Sequence, residues 1–424
     1  MQAPVQIQQL TEHLFRRESG RMVAVLTRIF GTENLQLSED VVQETFLSAV
    51  QVWSLKGLPD HPQAWLMRCA RNKAIDALRR NKFSTSIDFS DPERRLLQSE
   101  YTLVAQVDKL WQEDGIADDL LRMMYACCHT GISAENQITL MLKTLCGFSV
   151  PEIAKAFMTS EDTVAKRLYR TRMFFRQHKI KPAFPEPQLM ETATGTVLKA
   201  IYLIFNEGYN ATSTDALIRN DLLEQALYLC GLLCQNPLTA LPEVFAARAL
   251  MCFHMARTHS RLTAEGDIIL LPYQDRSQWS RPLIDESNAY LNKAAFGNRL
   301  SSYHIEAAIA FEHCAAPDFA QTNWHRILAY YDLLLQLQPG SVAALNRLIV
   351  VYKAQGFAAA VAAIDASMYK DAWQKQYLYH SLLGDMYAGQ APEQAVASYK
   401  MAISLTHSAA EQRLLRRKIE ELGI

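Results

Sequence analysis

Apolar side chains return every three or four residues through most of the chain, a period that predicts α-helix rather than strand. Residues 10–82 divide into three or four such stretches, with a proline-bearing break around Gly57 to Pro62. From about Asn81 to Ser99 the period gives way to Ser84, Ser86, Asp88, Ser90, Asp91 and Pro92, the composition of a linker. Helical spacing resumes from about Asp118 to Gln177. Pro182, Pro185 and Pro187 then fall within six residues. No helix interior accommodates that, because proline lacks the amide proton and clashes with the preceding turn, so the main domain boundary is expected there. Beyond it the pattern is helical nearly to the end, with one possible extended piece at Asp267 to Tyr273. The expected fold class is all-α.

Near its end the chain repeats itself. Tyr352, Ala360 and Ile364 recur as Tyr387, Ala395 and Tyr399, each 35 residues later. Leu383 and Gly384 precede the second copy, Ala402 follows it, and Ile327, Tyr331, Leu334 and Pro339 stand upstream at the spacing of the second helix of such a unit. Small residues at these places let paired helices approach closely and stack, as in tetratricopeptide-like arrays of about 34-residue period. A plain helical bundle without a binding groove is the alternative.

Three segments carry candidate chemistry. In Phe148 to Arg172, Ser149 and Glu152 have capping-box spacing before Ile153, Ala154 and Phe157, and Ser160 stands where it caps a second helix after a break at Met158 and Thr159. Val164 and Leu168 then face inward while Thr163, Lys166, Tyr169 and Arg170 turn outward, a helix-turn-helix pattern whose second helix suits the major groove, with Ser160 and Arg167 as further candidates for DNA contact. From Pro62 to Arg80, Trp65, Leu66, Cys69, Ala70 and Leu78 form an apolar stripe, and Arg68, Arg71, Asn72, Lys73, Arg79 and Arg80 supply a basic face for a nucleic-acid backbone. In Glu39 to Leu47, Asp40, Gln43 and Glu44 share one side of a helix and present a polar ridge above an apolar stripe. Each pattern alone also fits an ordinary amphipathic helix with solvated charges.

Composition narrows the classes. At 49% hydrophobic and 21% charged residues over 424 positions, the chain is expected to fold into more than one domain. Its net charge of −1 conceals a weak split: residues 1–181 hold 24 basic against 21 acidic side chains, and the remainder 19 against 23. Clustering matters more, since seven basic residues lie between Glu161 and Lys181, among them Arg172, Arg176 and Lys179. The eight cysteines are scattered through apolar helical stretches, so core thiols are expected; adjacent Cys127 and Cys128 point apart on a helix, and no metal or other cofactor is expected. Without a nucleophile paired to a base, a phosphate loop or a metal motif, an enzyme is not expected either. No apolar run approaches the roughly 18 to 20 residues of a membrane span and no signal peptide is recognisable, so the expected location is cytoplasmic.

In this order the three segments resemble the sigma-70-type factors of the extracytoplasmic-function group. Asp40 to Phe46 is similar to their core-binding helix, Trp65 to Arg80 to the helix of region two, and Phe148 to Arg172 to region four. Asn206, Glu207, Gly208 and Tyr209, with Gln274, Asp275, Arg276 and Trp279, look like signatures of a subgroup with a long tetratricopeptide-like extension, whose genes tend to lie beside YCII-related proteins. A helix end capped by Gly208 is the plainer account of the first of these. Met158 and Thr159 depart from the group where a glycine is common. The resemblance implies region two at 1–82, a linker at 83–117, region four at 118–181 and a helical extension at 188–424, clearest over 323–405. It further implies that Asp40, Gln43 and Glu44 dock on the β′ clamp helices of core RNA polymerase, that the β subunit is contacted too, and that Pro62 to Arg80 engages the minus-ten element. The helix from Ser160 would take the minus-thirty-five element of promoter DNA, and the extension would receive a regulatory protein or hold the DNA-binding parts. A tetratricopeptide-type scaffold that never meets promoter DNA is the alternative function.

Overall fold

The computed structural model describes residues 2–81, 100–111, 113–211 and 217–423. Among them the chain is all-α, as expected, with one isolated bridge between Leu262 and Ile268. The possible extended piece is no strand: after that bridge the backbone makes a 3-10 turn at Leu271–Tyr273. The polar stretch at 82–99 lies outside the described residues, but the later part of the expected linker is helical, at Glu100–Leu110 and Glu113–Ala126.

The chain divides into two compact units, Met1–Gly208 with Asn220–Thr239, and Tyr209–Arg219 with Ala240–Ile424. The prolines do interrupt the chain between two helices, with Pro187 as first residue of the second, yet the packing divides further on.

In the first unit α1 (Gln2–Phe30), α2 (Leu35–Lys56) and α3 (Pro62–Asn81) pack against one another. Met22, Leu26, Ile29 and Phe30, spaced at helical intervals, are enclosed, each such burial contributing about 1.5–3 kcal/mol. Phe15 meets Phe46 edge-on at 5.0 Å, and Trp53 meets Trp65 at 5.5 Å. Gly57, at φ 81°, ends α2 in a conformation costly for any residue with a Cβ, and Pro62 opens α3. α4 (Glu100–Leu110) lies on α3, α5 (Glu113–Ala126) lies on α1, and α6 (Ala134–Thr144), α7 (Val150–Ala156) and α8 (Glu161–His178) form a second cluster. α9 (Pro187–Tyr209) and α10 (Asn220–Gln235) complete the unit; Thr194 of α9 hydrogen-bonds the Tyr125 hydroxyl at 2.8 Å.

The second unit stacks helices in chain order: α11 (Pro242–Ala256), α12 (Arg281–Ala294), α13 (Ser302–Ala315), α14 (Trp324–Leu337), α15 (Ser341–Gln355), α16 (Phe357–Asp365), α17 (Lys370–Trp373), α18 (Tyr377–Tyr387), α19 (Pro392–Leu405) and α20 (Ala409–Glu421). The recurring positions occupy like places. Ala360 and Ile364 are buried in α16, and Ala395 and Tyr399 in α19. A Cβ on Gly384 would stand 2.3 Å from the Tyr399 ring, so glycine is what allows α18 and α19 to close. Tyr399 donates its hydroxyl to Asp385, which also holds Lys418 of α20 at 2.6 Å.

His254 and His313 in this unit are held neutral, each pushed down to about 3, chiefly by burial and then by Arg257 with Arg261 at the first and Arg257 with Arg276 at the second. Unfolding restores an ordinary histidine near 6.5, so their contribution is whole above that pH and is lost as pH falls from 6.5 toward 3. Thermal melts between about pH 7 and pH 4.5 should show the second unit losing stability steeply. Replacing both histidines by glutamine should flatten that slope.

Candidate nucleic-acid and polymerase interfaces

On α2 the side chains of Asp40, Gln43 and Glu44 all face solvent, while Val41, Val42, Thr45 and Phe46 face the core. Leu47 (62% exposed) and Val50 continue the outer row one turn on, which adds apolar area to the ridge that the sequence showed only as polar. Glu39, next to this row, points the other way. It is 8% exposed, accepts from Arg172 at 2.8 and 3.0 Å through its two oxygens and from the Thr144 hydroxyl at 2.8 Å.

The α3 stripe packs as the sequence suggested, with Leu66, Ala70 and Leu78 buried, and its other face is basic. Arg68, Asn72, Arg79 and Arg80 are exposed. Two of the cations are engaged from other helices: Arg71 pairs with Asp108 of α4, and Lys73 lies 3.5 Å from Glu44 of α2. Arg71 also donates to Asn72 at 2.9 Å, and Arg79 is near Asp76 at 3.7 Å.

The helix pair α7 and α8, expected to be a helix-turn-helix, is assembled by its caps. Ser149 and Glu152 complete both halves of a capping box at the start of α7, and Ser160 accepts from the Thr163 amide at 3.3 Å at the start of α8. Ile153, Val164, Leu168 and Phe175 fill the core between them. Lys166, Tyr169 (67% exposed) and Arg170 project outward, Thr163 is partly covered and bonded to Ser160, and Arg167 lies over the Phe157 ring at 5.4 Å. Arg172, counted by sequence among the basic residues of this face, is instead turned onto Glu39.

The turn itself rests on Met158, which adopts φ 48° in the left-handed region and is 95% exposed. Its amide bonds to the Lys155 carbonyl and that of Thr159 to Ala154, the paired bonds of a Schellman ending. A side chain there gains no contacts to offset the left-handed cost, so Met158→Gly should stabilise the first unit by about 1 kcal/mol. A urea midpoint raised at unchanged m would show it.

The two segments expected to be subgroup signatures are built into the helical scaffold, the first, as far as Gly208, in the first unit and the second in the second. Asn206 is exposed, whereas Glu207 and Gly208 are buried in the last turn of α9; Gly208 is inside the helix and not its cap. In the second unit Arg261 reaches the Tyr209 carbonyl and the Asn210 side chain and stacks on the Tyr209 ring at 3.7 Å. Asp275 caps a 3-10 turn through the Ser277 amide at 2.9 Å. Arg276 donates to the His313 and Ala316 carbonyls at 2.7 Å, answering the bare end of α13, and the Trp279 ring has Arg276 at 4.5 Å and Arg257 at 5.4 Å, with its indole N–H on Ser260. Sequence reasoning missed Gln225 of α10: its amide donates to the Arg16 carbonyl of α1 at 2.8 Å and to the Cys146 carbonyl after α6 at 3.2 Å. Only the fold brings those chain positions together.

Residues 14–84, which include the outward ridge of α2 and the basic face of α3, match the family Sigma-70 region 2. Residues 193–295 match a family of unknown function (DUF6596). The chain belongs to one family with an uncharacterized protein of Rhizobium meliloti (strain 1021), to which it is 34% identical over 405 residues, 95% of this chain and 93% of the relative. No solved structure matches it. The region-two match carries with it a sigma-factor-like role in transcription initiation, with core RNA polymerase and promoter DNA as partners. Among the described residues no helix is long and apolar enough to cross a membrane.

Proposed function

We propose that the chain is a sigma factor of the extracytoplasmic-function group, acting in the cytoplasm without bond chemistry of its own. Asp40, Gln43 and Glu44, with Leu47 beside them, dock on the clamp helices of the polymerase β′ subunit in a helix-to-helix contact. α3 holds the displaced strand of the minus-ten element through Arg68, Arg79 and Arg80 and, once freed of their carboxylates, Arg71 and Lys73. α8 enters the duplex at the minus-thirty-five element as region four, with Lys166 and Arg170 toward base edges and Thr163 and Tyr169 alongside. The tetratricopeptide-like helices of the second unit serve regulation, as the seat of a partner protein.

The observation that carries this reading is the coincidence of the region-two match with a module whose α2 ridge and α3 basic face are both turned to solvent. Its test is a pull-down of core RNA polymerase by the full-length protein, followed by selection of bound promoters with the reconstituted holoenzyme. Specific retention of core enzyme, reduced at least about tenfold by Gln43→Ala with Leu47→Ala, supports it; a tenfold change corresponds to about 1.4 kcal/mol. Absence of any core-enzyme binding leaves the scaffold reading in its place.

A further inference from the structure

The first unit holds more than one module, and carboxylates occupy basic side chains in both. Arg172 of α8 is occupied by Glu39 of α2, Arg71 of α3 by Asp108 of α4, and Lys73 of α3 by Glu44 of α2. Only the first of these pairs joins the region-two module to α8, and a phosphate bound at Arg172 would have to displace Glu39. The Thr32 hydroxyl, at the α1 to α2 turn, donates to the Ile180 carbonyl just past α8.

α10, from the region beyond the prolines, touches both modules. The single amide of Gln225 donates to the carbonyls of Arg16 and Cys146, one in the region-two module and one at the turn leading into the helix-turn-helix. Asp221 of α10 pairs with Arg16 at 3.3 Å, and Arg16 pairs in turn with Glu152, the capping-box carboxylate of α7, at 2.8 Å. One chain of polar contacts therefore runs from α10 through α1 to α7.

Where α10 meets α1 the packing is incomplete. A cavity of 170 Å³ remains where α10 meets α1, lined by His13, Arg17, Arg21, Glu224 and Tyr228 among others, so dispersion contacts are lost there. Gln225 Oε1 is buried with no hydrogen-bond partner among the described residues. Ion pairs such as Glu39 with Arg172 contribute little net stability, because desolvation offsets their attraction, but they fix one geometry. Polar, incompletely packed joints of this kind favour relative movement of the parts they join.

We propose that α10 is an intramolecular latch: through Gln225 and Asp221 it clasps the region-two module to the helix-turn-helix module in a closed state in which Glu39 occupies Arg172, and its release uncovers that cation for DNA. This deepens the promoter-binding reading and rests on it. Closure lowers apparent DNA affinity by the fraction of molecules that are open, so unlatching raises it by the inverse.

The test uses the full-length protein and two substitutions at residues that make no bond to Arg172, Gln225→Ala and, as a milder change at a partly exposed position, Asp221→Asn. Circular dichroism establishes that each is folded. Hydrogen exchange is followed at 28–40 and 168–182, both remote from Gln225 in sequence, and affinity is measured for a mixed-sequence 30-base-pair duplex at about 50 mM salt, where the electrostatic contribution is large. Exchange at least about fivefold faster in both segments, with duplex affinity raised about tenfold, is expected. Exchange altered only around 12–20 and 142–150, or duplex affinity unchanged in both variants, overturns the latch. Core-polymerase binding by the unsubstituted protein is measured in parallel: if it binds and the variants behave like it, the latch alone fails, whereas if it binds neither polymerase nor duplex the promoter reading fails.

Discussion

Gly20→Ala is expected to destabilise the first unit by about 3 kcal/mol, and Gly20→Val by more, among the largest effects of any single substitution here. A methyl group on Gly20 falls 1.9 Å from the Leu145 carbonyl oxygen, 2.7 Å from its carbon and 3.0 Å from its Cα. These are backbone atoms at the end of α6, and Gly20 lies within α1, so neither side yields as a flexible side-chain tip would. Relief requires α1 and the turn after α6 to separate, and that separation breaks the packing of α1 on the cluster of α6, α7 and α8. Gly195 in α9 supplies the contrast: nothing lies within 4 Å of its missing Cβ, so alanine there should gain up to about 1 kcal/mol of helix propensity. Urea unfolding of the two variants should move the midpoint in opposite directions. A wild-type midpoint for Gly20→Ala would mean that the two backbones do not approach in solution.

What the sequence made legible was local. Ser149, Glu152 and Ser160 announced two helix starts within eleven residues, and the structure forms both, because a cap is written in residues three positions apart. The small residues recurring at Ala360 and Ala395 are likewise buried in helix pairs, since their use is set by the neighbouring helix in the chain. Sequence also placed Asp40, Gln43 and Glu44 on one helical face by spacing alone. Glu39 shows where this stops. It belongs to the same charged run, and only its pairing with Arg172, 133 residues away, sets it apart as a buried structural carboxylate. Gln225 in an apolar helix, and Arg276 under the end of α13, owe their roles to backbone carbonyls, which carry no residue signature. The prolines at 182–187 mark a helix interruption correctly, but a break in a helix says nothing of which core the next helix joins, and α9 and α10 join the earlier one.

Arg170→Ala in the outward face of α8 is expected to lower affinity for the selected promoter duplex by about ten- to a hundredfold, about 1 to 3 kcal/mol, and to relax the sequence preference at one position. The side chain is exposed two residues after Leu168, whose burial fixes the rotation of the helix, so its direction is set by the core and not by local freedom. Arg176, a turn and a half further on and also exposed, should behave differently. Arg176→Ala is expected to weaken every duplex by a similar factor and to reduce the slope of log affinity against log salt by about one, as loss of a single phosphate contact does. Measuring both variants on selected and scrambled duplexes at several salt concentrations separates the two behaviours. Equal, sequence-independent losses from Arg170 and Arg176 would show that α8 lies along the phosphates and does not enter the groove. No loss from either would place the duplex elsewhere on the protein, since Lys166, Tyr169 and Arg170 form the face that Ser160 and the buried Val164 and Leu168 orient outward.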